Sequence, residues 1–160
     1  MNTPSNSKIT LSPEARAAAK QVQQRMKGSH ATRGMGFEVV SVEPGLAIFR
    51  MKVGKRHRQI HGVVHGGILA TLADTVAAIA AYSSLPRGTE IATIEMKINF
   101  LEAVHAGVIR AEGRVLRVGR NFVVTECEIR NEDGSLAAKA LLTFGAVSDR
   151  VSQHIAKKRG

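Results

Sequence analysis

The stretch GGILATLADTVAAIAAY, residues 66–82, decides the fold of this 160-residue chain. Its side chains are apolar or small around the whole circumference of a helix, and Asp74 is the only charged one. The stretch falls short of the roughly 20 apolar residues that cross a bilayer. We therefore interpret it as a buried helix in a single α+β domain and predict no membrane span.

Segments with the pattern of β-strands lie on both sides of this helix. Two of them, at 36–43 and 46–53, flank a Pro44-Gly45 turn and predict a hairpin. Four longer ones follow the helix, at about 89–102, 106–118, 120–131 and 136–147. A curved antiparallel sheet of about six strands wrapped around one long central helix fits this order, and it would bury the helix on nearly all sides.

The net charge of +10 first suggests nucleic acid or another polyanion as a partner. Most of this charge lies at the chain ends, with +5 in residues 1–34 and +3 in residues 148–160, which leaves +2 for residues 35–147. We therefore predict a basic N-terminal helical extension (1–34), a central domain (35–147) and a basic C-terminal tail (148–160). The helix of the extension is expected to start at Ser12-Pro13. We expect no nucleic-acid partner.

The N-terminal residues are polar and lack the apolar segment of a signal peptide. Cys127 is the single cysteine and cannot form an internal disulfide, so we expect a cytoplasmic protein. Its place on the apolar face of a strand favours an inert, buried thiol. His57, His61 and His65 have a spacing that would bind a metal only on a helix, and Gly62 argues against that helix, so no metal site is predicted.

The sequence His65-Gly66-Gly67 directly precedes the predicted helix. Glycines allow close approach to a helix N-terminus, where free N–H groups and the helix dipole stabilise a negative or polarised oxygen. Such an arrangement can act as an oxyanion hole. The same glycines can instead serve only to form a tight turn into the helix, and their spacing fits both interpretations.

Asp74 is the second residue of chemical interest, because a carboxylate in an apolar helix is costly to bury without partners. It is either a hydrogen-bonded structural residue or an acid, base or nucleophile that faces a cleft. On one continuous helix, Gly66 and Asp74 lie roughly 12 Å apart along the axis. One carbonyl group cannot contact both, so either the two residues are unrelated or a site combines Gly66 of one chain with Asp74 of another.

The segment QIHGVVHGGILATLAD, residues 59–74, resembles the signature of hotdog-fold acyl-CoA thioesterases of the phenylacetate-pathway type. The later segment ATIEMKINFL, residues 92–101, is similar to the same family. Two turns add to the similarity, at Gly119-Arg120 and Asp133-Gly134. The resemblance spans about residues 35–147 and implies the hotdog fold and hydrolysis of acyl-CoA thioesters to a free acid and CoA.

The resemblance also implies a role for individual residues. The backbone N–H of Gly66 would polarise the thioester carbonyl, and Asp74 of the opposing subunit would activate water or attack directly. His65 would orient the substrate, and Thr93 falls near a family hydroxyl that positions water. Gln59 stands where the family usually has Asn, and its longer amide would contact the thioester or the catalytic carboxylate.

Three arginines are candidate contacts for the phosphates of CoA. Arg56 and Arg58 belong to a basic segment without periodicity, residues 54–62, which we interpret as a loop, and Arg120 lies in a later turn. Each of them can also be an ordinary solvated charge. CoA is part of the substrate, so no separate cofactor is expected. The family resemblance implies self-association as a dimer, or as a tetramer built from two dimers.

Two alternative functions remain open at this stage. The same fold serves hydratases and dehydratases that act on enoyl or hydroxyacyl thioesters, which normally rely on a histidine paired with an acid. A non-catalytic acyl-CoA-binding regulator is the second alternative. A nucleic-acid reader lacks support, because only one helix is predicted before Gly36 and the chain has one Tyr and no Trp. The sequence does not specify the acyl group.

Overall fold

The structure, a computed structural model, describes residues 12–86 and 89–146. The predicted C-terminal tail (148–160) and the first part of the N-terminal extension (1–11) lie outside the described residues. The division of the chain into an extension, a central domain and a tail therefore stays a prediction.

The described elements follow the predicted order of helix, hairpin, central helix and four strands. The helices are α1 (Pro13–Met26), α2 (His30–Arg33) and α3 (Gly66–Ser83). The strands are β1 (Phe37–Glu43), β2 (Leu46–Lys52), β3 (Ile91–Phe100), β4 (Val108–Val118), β5 (Phe122–Arg130) and β6 (Leu136–Ala146). The sequence analysis missed the single-turn helix α2.

The six strands form one sheet in the order β1-β2-β4-β5-β6-β3, and every neighbouring pair is antiparallel. The two edge strands of this sheet, β1 and β3, differ in what lies beside them. Helix α1 covers β1, where the Val39 N–H donates to Gln23 Oε1 at 2.8 Å. At the other edge, β3 pairs with β6 and has no second strand partner among the described residues, which leaves backbone groups open to another chain.

Helix α3 packs one face on the sheet, with Leu72, Val76 and Ala80 fully buried. Its approach to the sheet depends on Gly113 of β4, because a Cβ there would lie 2.9 Å from the backbone carbonyl carbon of Val76. Any other residue would push the helix outward, so this glycine fixes the distance between helix and sheet.

The prediction that α3 is buried on nearly all sides is wrong for the single chain. Asp74, Thr75, Ala78 and Ile79 stay partly exposed, because the sheet covers one side of the helix only. Length and composition alone would allow α3 to cross a membrane. Its apolar residues instead pack on the sheet, as in the core helix of a globular domain.

Strand β5 shows the two-residue alternation that its sequence predicts. The inward side chains are all buried: Val123, Thr125, Cys127 and Ile129. Burial raises the pKa of the Cys127 thiol to about 12, and the nearby carboxylates of Glu112, Glu128 and Glu126 add to this effect. The thiol is therefore protonated and inert in the folded protein.

Candidate active site

The start of α3 is organised by His65, which is the N-cap of the helix. Its Nδ1 accepts the Gly67 N–H at 2.9 Å, so the neutral ring carries its hydrogen on Nε2. A Cβ on Gly67 would lie 3.1 Å from this nitrogen, which explains why glycine occupies the position. The structure thus assigns Nδ1 of His65 to the helix cap, and the predicted role of His65 in orienting the substrate stays a prediction.

Gly66 supplies the first N–H of α3, and this group has no acceptor among the hydrogen bonds of the described residues. The ring of Phe100 lies over it, because a Cβ on Gly66 would be 3.2 Å from Phe100 Cζ. Gln59 and Gly66 line the same cleft, of about 360 Å³, together with Phe100 and Leu69. The structure therefore joins two of the predicted site residues, Gln59 and Gly66.

The basic segment before α3 is more ordered than a plain loop, since it contains a 3-10 helix at Lys55–His57. His57 is buried, its Nδ1 accepts the Gly54 N–H at 2.9 Å, and its Nε2 lies 3.1 Å from both Met35 O and Arg56 Nε. Its carbonyl accepts the His65 N–H at 2.8 Å. Burial lowers the pKa of His57, and the charge of Arg56 lowers it further. His57 is therefore a buried structural residue whose contacts hold the start of α3.

Asp74 lies on the flank of α3 that faces β3. The hydroxyl of Thr93, the third residue of β3 and next to a bulge, donates to Asp74 Oδ1 at 2.8 Å. This bond orients the partly exposed carboxylate, and its second oxygen has no hydrogen-bond partner among the described residues. A carboxylate held in this way can accept a proton from water or attack a carbonyl carbon.

The two pairs are separate in one chain. Gly66 and Asp74 lie on the same unbroken helix, Gly66–Ser83, so eight residues separate them by about 12 Å along the axis. The structure thus brings Gln59 to Gly66 and Thr93 to Asp74, but it does not bring one pair to the other. Each pair is half of the site that the resemblance implies.

The three arginines also fall into two groups. Arg56 and Arg58 lie beside the start of α3, where Arg58 forms a β-bridge with Val64. Arg120 lies in the turn between β4 and β5, next to the end of β6 and the start of β3. Since the start of α3 contacts Phe100 at the other end of β3, Arg120 is at the opposite end of the molecule.

Phe100 is the site residue that the sequence analysis missed. It lies within the segment 92–101 that carries the family resemblance, but the strand pattern does not indicate that its ring covers Gly66. Within residues 12–86 and 89–146, no group of three His, Cys, Asp or Glu side chains is arranged to hold a metal ion.

Comparison with known proteins identifies relatives of the chain. Residues 61–138 match the Thioesterase superfamily. The chain is 31% identical to acyl-coenzyme A thioesterase 13 of Homo sapiens over 103 aligned residues. The aligned region covers 63% of this chain and 73% of the relative. It is 29% identical over 116 residues to the 1,4-dihydroxy-2-naphthoyl-CoA hydrolase of Listeria monocytogenes, covering 72% of this chain and 94% of the relative.

A solved structure agrees with these sequence matches. The thioesterase HI1161 of Haemophilus influenzae superimposes with a TM-score of 0.76 at 26% identity, covering 81% of this chain and 90% of that one. The expected hotdog fold, with a six-stranded antiparallel sheet, a central helix and an N-terminal helix, is confirmed. The chain belongs to the thioesterase superfamily.

Proposed function

We propose that the protein hydrolyses acyl-CoA thioesters at a site that combines Gly66 of one copy with Asp74 of a second copy. The observation that carries this proposal is the division of the site: an unpaired helix N–H at Gly66 and an oriented carboxylate at Asp74, about 12 Å apart on one helix. The relatives from Listeria monocytogenes and Homo sapiens are named for hydrolysis of CoA thioesters, which supports CoA as the leaving group.

The chemistry follows from the two halves. The thioester oxygen accepts the Gly66 N–H, and the positive end of the helix dipole stabilises the charge that develops on it. Asp74 takes a proton from a water molecule, whose oxygen bonds to the carbonyl carbon. When the C–S bond breaks, the proton passes from Asp74 to the departing CoA thiolate. Direct attack by Asp74 is the alternative first step, and water would then hydrolyse the resulting anhydride.

Symmetry restricts how two copies can meet. For antiparallel copies of α3 related by a two-fold axis, Gly66 faces Asp74 of the second copy only if the axis passes midway between them, beside Ala70. Ala70 is half-buried on the side of α3 that carries Asp74, and its small side chain permits close approach of a second helix. The open edge of β3 lies on the same side.

The same symmetry suggests a role for the arginines. Arg56 and Arg58 lie at the start of α3, and Arg120 lies at the opposite end of the sheet. An antiparallel arrangement brings opposite ends of two copies toward each other. All three guanidinium groups would then lie near one site, where they can bind the phosphates of CoA.

Complementation between two variants tests the shared site. Asp74→Ala removes the carboxylate, and Gly66→Leu places a side chain where the Phe100 ring and the carbonyl must fit. Each variant alone should release almost no CoA thiol. In an equal mixture that is allowed to exchange subunits, half of the dimers are mixed and each has one intact site, so about a quarter of the parental rate should return.

The matched control mixes Asp74→Ala with Thr93→Ala. Both residues lie on the same half of the site, so the mixed dimer contains no intact site and no rate above that of Thr93→Ala should appear. If the Asp74→Ala and Gly66→Leu mixture stays inactive although mass spectrometry shows mixed dimers, the shared site is refuted. Hydration of crotonyl-CoA without thiol release would instead identify the hydratase alternative.

A further inference from the structure

A cleft of about 870 Å³ separates α1 from the face of α3 that lies next to the one carrying Asp74. Apolar side chains form much of its walls, including Val22 and Met26 of α1, Ile79 of α3 and Leu85 beyond it. The volume falls within the range of about 300–1,000 Å³ that is typical of small-ligand pockets. The proposed reaction at Asp74 does not use this space.

Hydrogen bonds hold both walls of this cleft. Gln23 ties α1 to β1 through the Val39 N–H, and Ser83 Oγ accepts the Gly45 N–H at 2.9 Å, which ties the end of α3 to the β1–β2 turn. Thr32 also lines the cleft, and its hydroxyl oxygen is buried with no partner among the described residues.

The cleft and Asp74 lie on adjacent strips of α3. Thr75 and Ile79, four residues apart, form the cleft wall, while Asp74 and Ala78 form the neighbouring strip. On a helix about 10–12 Å across, the step of 100° between the strips spans about 10 Å of surface. The side chain of Ala78 is a single methyl group, so a flexible chain can cross it from Asp74 to the cleft.

The charge of the cleft restricts what it can bind. Glu43 and Glu90 line it, and Tyr82 donates its hydroxyl hydrogen to Glu90 Oε2 at 3.3 Å. The C-terminal end of α3 adds partial negative charge. Among the described lining residues there is no lysine or arginine. The negative charge of Glu43, Glu90 and the helix end favours an uncharged chain over one that ends in a carboxylate.

We propose that this cleft binds the distal part of the acyl group, and that it selects long, uncharged acyl chains over those that end in a carboxylate. The inference rests on the proposed function, because it takes the thioester carbonyl to lie at Asp74. A short acyl group stays near Asp74 and does not contact the cleft, so its binding is not strengthened there. Among the long chains that reach the cleft, charge at the distal end is a second determinant of specificity.

Chain length is tested by filling the cleft from its α1 wall. Ala18 lines the cleft, and Ala17 is exposed beside it and is not among the lining residues. In Ala18→Trp, the kcat/KM ratio of dodecanoyl-CoA to acetyl-CoA should fall at least about tenfold, as expected for loss of a hydrophobic pocket. In Ala17→Trp the ratio should not change. An unchanged ratio in Ala18→Trp, or an equal fall in both variants, overturns the proposal.

Charge is tested at Glu90, whose exposed position tolerates substitution. Glu90→Gln should raise the kcat/KM ratio of decanedioyl-CoA to decanoyl-CoA by about threefold, the effect expected of one exposed charge. The matched control is Glu132→Gln, in the exposed turn after β5. An equal change in both variants, or no change in Glu90→Gln, contradicts selection by charge at the cleft.

A binding measurement separates failure of this inference from failure of the proposed function. If the parental protein releases no CoA from any acyl-CoA, the proposed function is wrong, but calorimetry with 1-octanol and octanoate still examines the cleft. Octanol should bind, octanoate should bind at least about tenfold more weakly, and Ala18→Trp should abolish octanol binding. Equal binding of the two compounds, or octanol binding that Ala18→Trp leaves intact, overturns the assignment.

Discussion

The two flanks of α3 differ in what they expose. Toward β3, the helix presents Ala70 and Asp74, a small residue and an oriented carboxylate, beside a sheet edge without a further strand partner in the described part of the chain. Toward α1, it presents Ile79 and Tyr82, large side chains that line a covered cleft. Under the two proposals, one face of the helix serves reaction and association, and the neighbouring face serves selection of a ligand.

The largest expected effect is at Asp74. Asp74→Asn keeps an oxygen that can accept the Thr93 hydroxyl, but the amide cannot take a proton from water. Thiol release from acyl-CoA should therefore fall by about 10²–10⁴-fold, while the thermal melting curve stays close to that of the parent. Parental turnover in this variant would remove Asp74 from the mechanism and leave the β3 flank with association alone.

The next effect tests association on the same flank. Ala70→Arg would place two like charges beside the proposed two-fold axis, which should weaken self-association by about 10²-fold or more and reduce turnover with it. Sedimentation measured across a concentration series provides the readout. Ala106→Arg, at an exposed position before β4, is the control and should associate as the parent does. A fully associated Ala70→Arg would place the axis elsewhere.

A smaller effect is expected at Thr93, which we propose acts by positioning Asp74. Thr93→Val removes the hydroxyl and keeps the shape, so kcat should fall by about tenfold, the value of one hydrogen bond to a charged group. KM should change little. Thr93→Ser should restore most of kcat, whereas a structural role for the threonine methyl would leave the serine variant as slow as the valine variant.

The smallest expected effect is on the pH dependence of stability, and it comes from His57, which lies before the start of α3 and outside both of its flanks. The pKa of His57 in the folded protein lies below its unfolded value of 6.5, chiefly because the ring is buried. The unfolded chain therefore binds more protons below that pH, and the free energy of unfolding should fall as the pH drops from 7 to 5. Melting temperatures across this range should fall less steeply for His57→Gln, and an identical slope would contradict the assignment.

The fold follows from local patterns in the sequence. Alternation along β5 correctly predicts which side chains of that strand are buried, and the Pro44-Gly45 turn correctly places the β1–β2 hairpin. The degree of burial of α3 was predicted wrongly, because an apolar circumference indicates that a helix is covered but does not indicate what covers it. The order of strands in the sheet likewise depends on contacts between distant segments.

The site was predictable in part. The motif around Gly66 and the carboxylate at Asp74 predict the two halves of the proposed site, and the distance between them follows from the rise of a helix. The cap made by His65 and the cover made by Phe100 depend on side-chain directions that spacing does not specify. The cleft beneath α1 was not foreseen, because its walls come from segments far apart in the sequence.

The burial of the single cysteine has a practical consequence. Enzymatic release of CoA is followed with reagents that report free thiols, and Cys127 is fully buried with its pKa raised to about 12. The folded protein therefore contributes almost no background to such an assay. Labelling of Cys127 requires the sheet to open, so the rate of its modification in the absence of substrate reports how often the domain unfolds.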